Sequence, residues 1–303
     1  MSAAIGGSVK SPRREFFPVN NLAQRILVAV IAIPAVVGII WLGGWVLAAT
    51  LALLGVLGAR EVYDFGRRQG IEPLDRTGWL AAAGIPLLAY WAKGSEIHWA
   101  EPALYVGALW LMFTLVVAMA RRGPTGRPLT SVSITMFGAL YAAGLLTFLI
   151  AIRHGSEAAV RPSAYVLLTL FPLVITWICD TAAMAVGSGV GGPKLAPVLS
   201  PKKTHAGAVG GTLGGIIAAL ALGKFVLNRY GWNFSTGQLF LFGLVIAVVG
   251  QIGDVAESLF KREAGLKDSS TLIPGHGGVL DRLDSLYFVI PSAAGLYRLF
   301  GVI

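Results

Sequence analysis

A chain of 303 residues with 55% hydrophobic content and only 13% charged residues is too apolar for a soluble domain, where about 45–50% apolar is usual even with glycine counted. It reads as an integral membrane protein. The net charge of +9 could suit nucleic acid, but Lys and Arg sit in short clusters between apolar runs, which is the pattern of membrane topology, so no nucleic-acid partner is expected.

Residues 1–24 carry Lys10, Arg13 and Arg14 with Pro12 and Pro18, without helical apolar periodicity, and read as a cytoplasmic tail. From Ile26 to about Leu42 an apolar run is long enough to cross a bilayer core, which needs about 20 residues. Basic residues before an apolar core also describe a signal peptide, but the apolar run resumes after only Gly43-Gly44, so a retained span is expected. Further stretches near 45–59, 79–92, 102–120, 131–152, 163–180, 207–228, 237–256 and 283–302 bring the expected count to about nine. The expected fold is an all-α, polytopic membrane bundle. Placing alternate segments on alternate sides puts 18 of the 24 Lys and Arg residues on one side, so the positive-inside rule places the N-terminus in the cytoplasm. Residues 25–162 form the N-terminal transmembrane part, and residues 163–303 the expected catalytic part. Both long polar segments, 181–206 and 257–282, then face the cytoplasm, where nucleotides are available. The one cysteine, Cys179, lies in an apolar run and reads as a small core residue, and no intrachain disulfide is possible.

Asp180 stands at the expected end of the 163–180 span, where an ionisable group is either interfacial and hydrated or functional. Residues 187–204 combine glycines and prolines with Lys194, Lys202 and Lys203. Such a loop can cradle phosphate with backbone N–H groups and point charges, although a positively charged connector explains it about as well. Gly207, Gly211 and Gly215 are spaced four apart, which suits close helix packing. Trp91 and Trp99 read as interfacial aromatics, and His98 and His154 fall on the outer side without assigned chemistry.

The segment Gly253–Ser285 gathers the charges. If the eighth span continues helically through Lys261, then Asp254, Glu257, Ser258 and Lys261 share one face. The next helix opens with Asp281, Arg282 and Asp284. Hard Mg²⁺ takes oxygen ligands, usually one or two carboxylates plus substrate phosphates, and Asp254 and Asp281 from adjacent helices meet that need. An ion-paired helix boundary is the bland alternative.

Ser258-x-x-Lys261-Arg262, Lys267-Asp268 and Pro274-x-His276-Gly277-Gly278-x-x-Asp281-Arg282-x-Asp284 closely resemble the signature of phosphatidate cytidylyltransferases, also called CDP-diacylglycerol synthases. Upstream, Asp180-Thr181-x-Ala183, Lys194-Leu195-x-Pro197 and Ser200-Pro201-x-Lys203-Thr204 look like that family's second characteristic region. The likeness covers residues 163–303 strongly, while the first half matches only as a set of apolar spans. Met184 and Ser188 stand where the family commonly has an aromatic and an arginine, and Ala206 stands where it usually has a glutamate.

The resemblance implies that CTP and phosphatidate are the substrates and that CDP-diacylglycerol and pyrophosphate form at the cytoplasmic face of the inner membrane. Membrane lipids surround the chain, and the reading leaves room for a homodimer. Mg²⁺ is the expected cofactor, with a second cation able to assist, and Asp254, Asp281 and more weakly Asp180 are the expected metal ligands. Lys261, Arg262, Lys267 and Arg282 are expected to meet phosphate groups, with Lys203, Ser200 and Thr204 as weaker candidates. His276 either donates to phosphate or orients the Gly277-Gly278 turn, and Ser258, Asp268 and Asp284 are supporting groups. Two competitors remain open: a CTP-dependent polyprenol or other isoprenoid-alcohol kinase, and an ion-coupled transporter, against which the clustering of charge at one mouth weighs.

Overall fold

The computed structural model describes residues 21–93, 100–272 and 277–303. Helices dominate: α1 (Asn21–Leu42), α2 (Gly44–Arg68), α3 (Asp75–Lys93), α4 (Ala100–Arg121), α5 (Pro128–Ala139), α6 (Leu145–Arg153), α7 (Pro162–Val190), α8 (His205–Phe225), α9 (Thr236–Glu263), α10 (Leu280–Leu283) and α11 (Leu286–Leu299). All the expected apolar stretches fall on helices. Among the described residues six helical segments are long and apolar enough to cross a membrane: Gly44–Arg68, Pro102–Arg121, Pro124–Arg153, Pro162–Val190, His205–Tyr230 and Thr236–Glu263. Large apolar side chains such as Leu104, Leu109, Met119 and Leu213 remain exposed, as a helix facing lipid requires.

Three local expectations change. The span expected to stop near residue 180 continues to Val190, so Asp180 lies well inside α7 rather than at its end. The segment expected to be a loop ends in an antiparallel hairpin of β1 (Lys194–Ala196) and β2 (Ser200–Thr204), with Lys194 opposite Thr204, so the chain is not purely α. The last helix does not open continuously at Asp281: the four-residue α10 is followed by a turn at Asp284–Ser285 before α11 begins.

Two buried clusters form the core, and α11 joins them. Tyr287 and Ile290 pack with α2, α5 and α6, whereas Val289, Ala293, Ala294 and Tyr297 pack with α7, α8 and α9. A π-helical turn, Leu140–Gly144, links α5 to α6 and carries Tyr141 to within 4.7 Å of the Tyr287 ring. Helix ends are closed by specific groups. Thr204 Oγ1 accepts from Gly207 N at 3.0 Å to cap α8, and Ser235 with Gln238 forms a capping box on α9. Arg153 donates to the carbonyls of Ile40 and Trp41, and His154 Nε2 accepts from Gly44 N at 3.0 Å.

The small-residue spacing in α8 works as packing chemistry. A Cβ at Gly211 would lie 2.9 Å from Ala183 Cβ and 3.0 Å from the Cys179 carbonyl oxygen, and one at Gly215 would lie 2.8 Å from Ala247 Cβ. Alpha8 therefore touches α7 on one face and α9 on the other at backbone distance. Gly211→Val is expected to lower stability by about 1–3 kcal/mol through overpacking. The check is the melting temperature of detergent-solubilised protein, with Gly295→Ala, where a Cβ meets nothing within 4 Å and the helical position favours alanine, as a reference that should keep or slightly raise it.

Candidate active site at the α9–α11 mouth

Helix α9 continues to Glu263, so Asp254, Glu257, Ser258 and Lys261 do share a face, and Glu257, Ser258 and Lys261 are buried. Lys261 Nζ is the hub. It donates to Asp281 Oδ1 at 2.7 Å and lies 3.2 Å from Glu257 Oε1. Asp281 Oδ2 accepts from the Ser269 amide at 2.7 Å and from the Gly278 amide at 2.8 Å, and lies 2.7 Å from Ser269 Oγ, whose one proton it shares with Glu61 Oε2. Burial alone would raise the Asp281 carboxyl, but the hydrogen bonds from Gly278, Lys261 and Ser269 outweigh it and hold the group below the usual carboxylate range. Asp281 is thus ionised and oriented, with one lone pair left on Oδ1.

The hairpin delivers the second cation of the site. Lys203, on β2, pairs with Asp254 Oδ2 at 2.5 Å, and both side chains are about a quarter to a third exposed, at 25% and 32%. Gly253 makes room beside this pair: a Cβ there would meet the Asp284 carbonyl at 2.8 Å, so α9 and the α10–α11 turn close on one another. Burial, reinforced by the neighbouring carboxylates of Asp254 and Asp180, pushes the Asp284 carboxyl above its ordinary range. Asp180, Asp254 and Asp284 therefore form one mutually repelling acidic region, from α7, α9 and the final turn, with Lys203 beside it. Among the described residues no three His, Cys, Asp or Glu side chains converge as a metal cage.

The remaining expected residues separate into groups. Arg262 donates to the Leu199 carbonyl at 3.2 Å and the Leu266 carbonyl at 2.8 Å, tying α9 to the hairpin loop. Lys267, Asp268 and Arg282 are exposed around the mouth. Thr204 is buried as the α8 cap, Ser200 is half-buried on β2, and Ser258 is buried on α9. His276 lies outside the described residues.

Sequence reasoning missed Glu61, Ser269, Tyr141 and Tyr287. Glu61 is 3% exposed on α2 and is met by four donor groups of the connector between α9 and α10. In sequence it stands between Arg60 and Asp64, just past the 45–59 apolar stretch, and so looked like an ordinary charged helix end. Tyr141 and Tyr287 carry buried hydroxyls without hydrogen-bond partners among the described residues, and the buried Glu257 carboxylate is met by the Lys261 ammonium as an ion pair. Their burial makes a dry wall behind Lys261, in which its ion pairs are stronger than at the surface.

Residues 23–300 match the family model described as "Cytidylyltransferase family". The phosphatidate cytidylyltransferase of Synechocystis sp. is 32% identical over 289 residues, covering 88% of this chain and 94% of that protein. The Brucella suis biovar 1 protein of the same name is 31% identical over 289 residues, covering 94% of each. Phosphatidate cytidylyltransferase 5, chloroplastic, of Arabidopsis thaliana is 33% identical over 294 residues, with 88% of this chain and 69% of the plant protein covered.

Proposed function

Because the chain belongs to the cytidylyltransferase family, we propose that it is an integral-membrane phosphatidate cytidylyltransferase, converting CTP and phosphatidate into CDP-diacylglycerol and pyrophosphate for phospholipid synthesis. The observation that carries this reading is a family match spanning residues 23–300, which includes the whole α9–α11 mouth.

The lipid phosphate is an anion near neutral pH and needs no protein nucleophile. One of its oxygens forms a bond to the α-phosphorus of CTP, and the bond from that phosphorus to the bridging oxygen breaks, its electron pair leaving with pyrophosphate. Catalysis is then positioning and charge stabilisation. Lys261 is held rigidly between Glu257 and Asp281, a preorganised cation that needs little reorganisation as charge moves. Lys203, Arg262, Lys267 and Arg282 supply further positive charge for the triphosphate, the departing pyrophosphate and the lipid phosphate.

The acidic region fits Mg²⁺. Two carboxylates and substrate oxygens suffice for this ion, and Asp254 is about a third exposed and ionically held, beside Asp180 and Asp284. Asp254 is the first ligand in this reading, with Asp180 and the free lone pair of Asp281 Oδ1 as further donors. When bound, Mg²⁺ would neutralise phosphate charge. A second cation has no assigned residues.

The topology belongs to the same proposal. Nine helices, α1 to α4, the α5–α6 unit, α7 to α9 and α11, would cross or enter the membrane, with the N-terminus and the active site on the cytoplasmic side of the inner membrane. The distribution of Lys and Arg supports this orientation.

Purified protein in detergent, given phosphatidate, Mg²⁺ and CTP labelled either in the cytosine ring or in the γ-phosphate, is expected to move only the ring label into lipid. Transfer of the γ-label to an added polyprenol would instead establish the kinase reading, and no turnover of either label would sink both.

A further inference from the structure

We infer that Glu61, on α2, is a positioning residue for the transfer reaction, holding the two described ends of the α9–α10 connector so that Asp281 presents Lys261 to the substrate phosphates. The inference rests on the proposed transferase reading for its kinetic arm. Both carboxylate oxygens are fully used. Oε1 accepts from Ser270 Oγ at 2.7 Å and from the Val279 amide at 2.9 Å, while Oε2 accepts from the Leu280 amide at 2.9 Å and lies 2.8 Å from Ser269 Oγ. Ser269 Oγ is at the same time 2.7 Å from Asp281 Oδ2, so its single proton is shared between the two carboxylates, and the Ser269 amide donates to Asp281 Oδ2 at 2.7 Å. A continuous chain therefore runs from Glu61 through Ser269 to Asp281 and on to Lys261, whose Nζ is 2.7 Å from Asp281 Oδ1.

Two features show that the arrangement is built rather than incidental. Gly278 is the residue between these groups: a Cβ there would overlap Ser269 Oγ and both Glu61 oxygens, so the connector can approach the carboxylate only through glycine. Glu61 is also buried at 3% exposure in a helix otherwise lined with Ala, Leu, Val and aromatic residues at its buried positions, where an unpaired carboxylate would be strongly destabilising. Its ligands come from residues more than 200 positions away, which means that the N-terminal bundle sets the geometry of the catalytic region. Neither Glu61 nor Ser269 touches substrate in this scheme, since both act through Asp281 and Lys261.

Glu61→Gln replaces one acceptor oxygen by a donor amide facing donors, and Glu61→Asp keeps the charge while shortening the reach. With the full-length protein in detergent, Glu61→Gln is expected to lower kcat by about 100-fold, as a displacement of reacting groups by about 1 Å does, with KM for CTP changed less than about threefold. Glu61→Asp should recover part of kcat. Hydrogen exchange of the Val279 and Leu280 amides should accelerate in Glu61→Gln while the α8 and α9 amides keep their protection. Leu51→Ala, a buried α2 variant that does not touch the connector, serves as a reference of comparable thermal destabilisation and should keep kcat below its melting temperature. Equal loss of kcat in Leu51→Ala and Glu61→Gln at matched stability, or unchanged exchange at Val279 and Leu280, would overturn the inference. The exchange arm needs no substrate, so it reports on Glu61 even if the wild-type protein fails to turn over CTP and phosphatidate.

Discussion

Asp281→Asn is expected to reduce kcat by about 10³-fold or more, the scale seen when a preorganised electrostatic contact to developing charge is removed. The side chain accepts two amide hydrogen bonds on Oδ2, where it also shares the Ser269 hydroxyl proton, and one from Lys261 on Oδ1. An asparagine offers one acceptor oxygen, and its NH₂ must face either Lys261 or the Ser269 and Gly278 donors. Lys261 keeps only the Glu257 contact at 3.2 Å. Breaking a buried pair of this kind costs about 3–5 kcal/mol, so the melting temperature should fall as well. The pH dependence follows from the sign of the shift. Asp281 is held below its unfolded value of 3.8, so its stabilising contribution is complete above that pH and is lost as pH falls through the folded value. Between pH 6 and 8 the titration of Asp281 itself therefore adds no pH dependence to the stability of the wild type. A variant with wild-type kcat would remove Asp281 from the machinery.

Asp254→Asn should separate activity from stability. The Lys203–Asp254 pair is partly solvated, and pairs of that kind contribute about 0–1 kcal/mol to folding, so the melting temperature should scarcely move. Activity should nevertheless fall by about 10²–10³-fold, because a first ligand for the metal and a partner for Lys203 are lost together. Titration with Mg²⁺ discriminates between the two roles. If Asp254 binds the ion, the half-saturating Mg²⁺ concentration rises and high Mg²⁺ restores part of the rate. An unaltered Mg²⁺ dependence with reduced kcat would assign Asp254 to orienting Lys203 instead.

The legible part of this protein was its periodicity and its charge islands. Long apolar runs declare membrane helices because unsatisfied backbone polar groups are too costly in lipid, and that cost acts locally on every turn. The same local logic placed Asp254, Glu257, Ser258 and Lys261 on one face, since spacings of three and four residues are set by the helix itself. The glycine spacing in α8 was read correctly as packing for the same reason. The continuation of α7 to Val190 was less legible, because Gly187 and Gly189 look like helix breakers until the start of α8 is seen packed against Gly187.

The site divides along the same line. Sequence alone determined a polytopic membrane chain, a charged mouth around α9 and α10, and the signature residues from Ser258 to Asp284, because each of these is written within a few turns of chain. Only the tertiary structure decided the partners: Lys261 with Asp281, Lys203 with Asp254, and Glu61 with the connector more than 200 residues later. A hydrogen bond between distant segments is specified by how helices pack, and the packing of two apolar faces leaves no spacing in the sequence to mark which buried carboxylate will meet which amide.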